Sequence, residues 1–237
     1  MSTKIFYKAN TRGEADHGWL HTFHTFSFAD YHDPKRVHFG ELRVINDDTV
    51  KGGYGFGKHP HDNMEIITIV LEGALEHKDS MGHTQAIQAG EVQVMSAGTG
   101  IQHSEYNHNK DKDVKLFQIW IFPNEDNVKP RYDQKMFSAD ERINKLQSLV
   151  SPINNNDEGL KIHQQAWIYR VTLEKGRSLS YPLHNKNSGV YTLLVSGKIN
   201  VEGEEMNDRD GLGVSDTTAI EIIANENSDI LLLEVPM

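Results

Sequence analysis

The chain has 237 residues, enough for one large or two ordinary domains with a real core. Its 24 Lys and Arg against 34 Asp and Glu, a formal net charge of -10, leave no basic footprint for phosphate neutralisation, so nucleic acid is not an expected partner. There is no cysteine, which removes disulfides and thiolate metal sites alike. Met1-Ser2-Thr3-Lys4 carries no hydrophobic leader and the apolar run Ile66 to Leu71 is far too short for a bilayer, so a cytoplasmic protein without a membrane span is expected.

In chain order, the first marked segment is His21-Thr22-Phe23-His24-Thr25-Phe26-Ser27-Phe28. Its alternation predicts a strand packing its phenylalanines inward, with His24 the exception, a donor that would matter near a metal. His59-Pro60-His61 follows, and residues two apart share one face of a strand. Met64 to Leu71 is rich in Ile and Val and ends in a turn at Glu72-Gly73. Short strands are expected at Ala74 to His77, Gln85 to Gln88 and Glu91 to Met95. His103-Ser104-Glu105 then forms a second pair spaced by two. If the two pairs face each other, they supply three neutral imidazoles and one carboxylate, a donor set suited to a divalent transition metal. Val114 to Phe122 closes the block, with Leu116, Gln118, Trp120 and Phe122 on one face. Phe56 and Met95 are candidates for the walls of a pocket above the metal. His77, His83, His108, His163 and His184 read as loop or strand-end residues without a role. Evenly spaced short strands of this kind indicate an all-β sandwich or barrel.

The middle differs. Ser138 and Glu141 have the spacing of a capping box, and Ile143, Leu146 and Val150 recur at helical spacing, which predicts a short helix. Residues 123–160 are therefore expected to connect an N-terminal domain, 1–122, to a C-terminal one, 161–237. Val190 to Ile199 echoes Ile66 to Leu75, with Gly197 standing where Gly73 stood, an imperfect internal repeat that argues for two similar domains in tandem. The second copy is poor in ligands: His184 falls roughly at the place of the His59 pair but has no histidine two residues on. The C-terminal domain is expected to be metal-free.

The segments Gly18 to Pro34, His59 to Ile66, Leu71 to Gly82 and Met95 to Asn107 together resemble the bacterial pirins, within the cupin superfamily. That resemblance implies a bicupin, two tandem double-stranded β-helix barrels. It also implies a metal in the N-terminal barrel, held by His59, His61, His103 and Glu105, and it moves Glu65, which matches the carboxylate ligand of many other cupins, to a place behind the ligands with His24. One divalent transition metal per chain is implied, iron foremost, with zinc, copper, cobalt, nickel or manganese also suited to such donors. The implied activity is that of a quercetin 2,3-dioxygenase, acting on flavonol-like substrates with O₂, with Glu105 as the base. The alternative is a metal- or redox-dependent regulatory protein that binds a protein partner.

Overall fold

Strand alternation carries the fold, which the computed structural model describes for residues 2–237. The N-terminal half runs through β1 (Thr3–Tyr7), β2 (Gly13–Asp16), β3 (Leu20–His24), β4 (Leu42–Val50), β5 (Gly55–His61) and β6 (Glu65–Glu72). It continues through β7 (Ala74–Asp79), β8 (Thr84–Gln88), β9 (Glu91–Ser96), β10 (Ile101–Asn107), β11 (Val114–Ile121) and β12 (Arg131–Met136). The C-terminal half holds β13 (Gln147–Pro152), β14 (Leu160–Ile162), β15 (Trp167–Leu173), β16 (Ser178–Pro182) and β17 (Ser188–Ser196). Last come β18 (Lys198–Val201), β19 (Glu204–Asn207), β20 (Gly211–Ser215), β21 (Ala219–Ala224) and β22 (Ser228–Pro236).

Each half pairs a seven-stranded sheet with a four-stranded one. In the first barrel the large sheet has the order β12-β9-β6-β11-β4-β3-β2 and the small one β5-β10-β7-β8. The second barrel repeats this with β1-β20-β17-β22-β15-β13-β14 against β16-β21-β18-β19. The large sheets pack back to back. Ile67, Ile69, Val94, Phe117 and Ile119 of the first meet Leu149, Ile168, Leu193, Leu231 and Leu233 of the second in one core, every one of them 1% exposed or less. Burying a side chain of this size stabilises by about 1.5–3 kcal/mol, so this seam joins the barrels strongly. The repeat is visible in the turns: Gly73 and Gly197 have φ of 77° and 103°. A Cβ there would lie 2.8 Å from Asp113 O in the first case and 2.5 Å from Asn227 O in the second, so both turns exclude other residues.

Three expectations are corrected. The segment 123–160 contains no α-helix; a single 3-10 turn, Ala139–Arg142, is followed directly by β13. Ser138 makes no side-chain cap bond, its partner Glu141 accepts from Gln147 instead, and Asn144 has a φ of 52°, which breaks any helix. The domain bounds shift as well: β1 pairs with β20 in the second barrel, β12 extends the first, and β13 and β14 belong to the second. In β3, finally, Leu20, Thr22 and His24 are the inward residues, while Phe23 lies half-buried on the outer face beneath the Arg12 guanidinium, 4.7 Å from the ring centre.

Candidate metal centre

The inner face of the first barrel's large sheet carries a polar row. Cross-strand register places His24 beside Asn46, Asn46 beside Gln118, Gln118 beside Thr68 and Thr68 beside Gln93, running from β3 to β9. All five are buried. His24 Nδ1 lies 2.8 Å from Asn46 Oδ1, and the Thr68 hydroxyl donates to Gln118 Oε1 at 3.2 Å. A row of this kind inside a barrel is costly unless it faces other polar groups.

It faces β5 and β10 of the small sheet. In β10, Ile101, His103, Glu105 and Asn107 alternate inward with solvent-side neighbours. His103 sits opposite His59 and Ile101 opposite His61, and a register shift beyond His103 sets Glu105 opposite Phe56. The rings of His59, His61 and His103 converge, with centroids 4.4 to 4.9 Å apart. One donor atom from each lies within 4.8 Å of the others, and so it is for His77, His103 and Glu105. The two groups share His103. Gln118 donates to both oxygens of Glu105, at 3.2 and 3.4 Å, and so fixes the carboxylate from the sheet opposite.

Hydrogen bonding determines which ring nitrogens are free. Asp79 lies within reach of His83 Nδ1 at 2.8 Å and His77 Nε2 at 3.2 Å. Burial would raise the Asp79 carboxyl, but bonds from His83, His77 and the backbone N–H groups of His83 and Met81 outweigh it and hold it low. An ionised carboxylate only accepts, so His77 carries its proton on Nε2 and presents a bare Nδ1. His103 Nδ1, 3.4 Å from His77 Nδ1, is then the donor, and its Nε2 is left as a free lone pair. That Nε2 is buried with no partner among the described residues. His59 Nδ1 is likewise engaged, 2.8 Å from Gly57 O. Burial, reinforced by neighbouring imidazoles, pushes His61 down to about 4 and His103 down to about 3. Both are neutral imidazoles at neutral pH, the form a metal binds. Burial raises Glu105, against the pull of His77, His59 and Gln118. An orphaned lone pair, two further imidazoles beside it and a fixed carboxylate fit a divalent transition metal.

His77 is the residue that sequence reasoning missed. Its signal was present: Leu75, His77 and Asp79 alternate inward along β7, between turns on either side. His83 stacks on Tyr132 outside it, with ring centroids 5.0 Å apart.

Neither Glu65 nor His24 joins these groups. Glu65 shares its face of β6 with Ile67 and Ile69, toward the second barrel, and accepts from Ser96 Oγ at 2.7 Å. Burial pushes its carboxyl up to about 7, against hydrogen bonds from Ser96 and the His163 backbone. The placement of Glu65 behind the ligands is thereby overturned. Asn63, with a φ of 41°, turns the chain between β5 and β6, so the alternation of His59 and His61 is not carried into Glu65. His24 instead lines a cavity of about 310 Å³ with Trp19, Phe28, Phe56, Thr22 and Asp48. Phe56 thus does form a wall, whereas Met95 is wholly buried with Ile66, Ala97 and Ile101. One aromatic ring stands between the cavity wall and the imidazoles: Phe28 packs edge-on to Trp120 and Trp120 edge-on to His61, at 5.3 and 5.0 Å.

Sequence comparison agrees with this geometry. The profile described as Pirin matches residues 6–121, and that of the quercetinase C-terminal cupin domain matches residues 148–235. A protein of Escherichia coli K12 named quercetin 2,3-dioxygenase is 46% identical over 97% of this chain and 97% of its own. The chain belongs to the pirin family. A pirin-like protein of Caulobacter vibrioides is 41% identical over 94% of this chain and 95% of its own. The bacterial pirin YhhW of Escherichia coli, solved in complex with nickel(II), superposes with a TM-score of 0.93 at 44% identity, covering 99% of each chain. The pirin fold is accordingly a bicupin here, with the metal-capable cluster in the first cupin barrel. No helix among the described residues is long and apolar enough to cross a membrane.

Proposed function

We propose that this protein is a metal-dependent dioxygenase that opens the central ring of quercetin-like flavonols with O₂. The observation that carries the reading is the convergence of His59, His61 and His103 beside Glu105, one ring away from a cavity walled by Trp19, Phe28 and Phe56. The E. coli relative named quercetin 2,3-dioxygenase supports it, and the nickel(II)-bound relative supports a divalent metal on such donors. His59, His61, His103 and Glu105 would hold the ion. When bound, it supplies positive charge that lowers the pKa of an enol or phenol oxygen beside it.

The protein's own groups do the rest. The aromatic walls match a planar substrate and keep water from it. His77 and Asp79 fix the His103 ring, so that its unpartnered Nε2 would be available to hold the ion. Glu105, raised by burial and aimed by Gln118, takes the substrate's enol proton as general base. The overall change consumes one O₂ and divides the flavonol into a depside and carbon monoxide, which balances without an added reductant.

The test is aerobic incubation of metal-loaded protein with quercetin, followed by flavonol absorbance, with elemental analysis of the protein as purified. Bleaching well beyond a free-metal control, lost in His59→Ala, is expected. Bleaching no faster than free metal, or equal in His59→Ala, overturns the reading.

A further inference from the structure

Asp48 is buried in the first barrel and lines its cavity, yet one of its carboxyl oxygens has no partner. Its side chain points inward from β4, its residue is 4% exposed, and Oδ1 has no hydrogen-bond partner among the described residues. Thr22 stands directly opposite on β3, 3% exposed, its hydroxyl equally without a partner. The pair sits one inward step from Asn46 and His24, which satisfy each other. It is therefore the one unsatisfied stretch of polar surface among the described residues of these two strands, framed by Trp19, Leu20, Phe28 and Phe56. Trp19 and Phe56 meet edge to face at 5.3 Å and form a wall of fixed shape.

A buried carboxyl with no partner costs about 1–3 kcal/mol or more, and such groups persist where a ligand or water completes them. Water would complete a site open on all sides. Here the surroundings are predominantly aromatic and aliphatic, and a cavity of about 310 Å³ is at the lower end of the volumes that small-molecule ligands fill. The complement of this surface is a flat aromatic body bearing a hydroxyl at one edge. A phenolic O–H is the matching donor for a carboxylate oxygen, and the Thr22 hydroxyl can donate to that same phenol oxygen or accept from an adjacent one.

We propose that Asp48 and Thr22 form the specificity end of the substrate cavity, binding a phenolic hydroxyl of an aromatic substrate whose opposite edge reaches the imidazole cluster. This rests on the proposed function only for the position of the cluster; recognition of the hydroxyl does not need the metal. Asp48 also lies near enough to Glu105 for the two charges to be felt, and burial pushes its carboxyl up to about 7. Glu105 is clamped by Gln118, whereas Asp48 Oδ1 has no such clamp. A site that leaves a buried acceptor unpaired rejects ligands lacking the donor more strongly than it rejects ligands lacking a methylene. Selection should accordingly turn on hydroxylation rather than on size.

The experiment is fluorescence quenching of the metal-free protein by two probes, quercetin and 3-hydroxyflavone, which share a skeleton and the enol but differ in ring hydroxyls. Wild type should bind quercetin at least tenfold more tightly. Asp48→Asn and Thr22→Val should each reduce that preference severalfold, and Asp48→Ala should bring it near unity, through weaker quercetin binding while the 3-hydroxyflavone constant stays within about twofold. The latter also certifies that each variant is folded. Wild type without a preference, or variants that keep the full preference, overturns the proposal. If the preference behaves as stated but quercetin is not consumed, the dioxygenase reading fails and this one stands. Turnover of quercetin with a preference that the variants leave unaltered overturns this proposal and leaves the dioxygenase reading in place.

Discussion

The two barrels share one plan, a seven-stranded sheet against a four-stranded one, yet they treat a buried histidine and carboxylate in opposite ways. In the C-terminal barrel Glu234, wholly buried, accepts from Tyr181 Oη at 2.7 Å, from the backbone N–H groups of His184 and Asn185, and lies 2.9 Å from His184 Nδ1. His184 is stacked flat on Trp167 at 4.2 Å. Among the described residues, the unpartnered atoms elsewhere in that barrel are the Trp167 indole N–H, the hydroxyls of Ser148, Ser188 and Thr192, Gln147 Oε1 and one oxygen of Asp157 in the turn after β13; no imidazole is among them. In the N-terminal barrel the unpartnered set includes an imidazole lone pair of His103 and a carboxyl oxygen of Asp48. One barrel has closed its histidine and carboxylate on each other; the other has kept them open. Chemistry needs the open set, and packing is served by the closed one.

That contrast can be broken most severely at His103. His103→Ala should abolish stoichiometric metal binding, read by elemental analysis, and lower any flavonol turnover at least a hundredfold; metal retained at one per chain would refute the assignment of donors. The mirror experiment is Glu234→Ala. It strips four donors of their acceptor, and urea denaturation should show a loss of about 3 kcal/mol with metal content unchanged. A fall in metal content would mean that the barrels are not functionally separate.

Glu65 offers a sharper test because it belongs to the face between them. Its carboxyl is raised from 4.5 to about 7 in the folded protein, so between those pH values the folded state holds a proton that the unfolded state has released. Its contribution to stability is therefore greatest at low pH and is lost as pH rises through that window, by about 3 kcal/mol in all. Glu65→Gln does not titrate and should gain on wild type by up to about that amount between pH 4.5 and 8. Equal pH slopes for the two proteins would show that the carboxyl is ordinary. The smallest expected effect is at His77. His77→Ala should weaken metal affinity about 10- to 100-fold without removing the ion, as loss of a group that orients a ligand does. A chelator competition curve that coincides with wild type would exclude that role.

Spacing by two made His59, His61, His103 and Glu105 legible in the sequence, because each pair lies within a single unbroken strand and shares a face. Glu65 was misplaced because it was set by its match to a cupin motif, which does not register that Asn63, left-handed between β5 and β6, turns that side chain to the other face. His77 was hidden by its company: Glu76 and Lys78 flank it in a short strand, and His83, which shares its partner Asp79, lies across a turn. The helix expected after Ser138 failed for a tertiary reason. Leu149 and Val150 are drawn into the seam between barrels, and a strand that pairs with β15 buries both of them. Fold class and repeat followed from short alternating runs and glycine turns, which depend on local geometry alone.

The pairing of β1 with β20 has a consequence for how the molecule comes into being. Residues 3–7 leave the ribosome long before residues 211–215, their neighbours in the sheet, are made. Throughout that interval the strand waits without a partner, an exposed ribbon edge that invites association with other nascent chains. The link also acts as a clasp: Glu41 N–H donates to Pro236 O, so β1 and the strand β22 are both tied across the barrels. Cutting the polypeptide between the barrels would therefore not yield two independent halves. It would leave the N-terminal fragment holding β1, an edge strand of the second barrel's sheet.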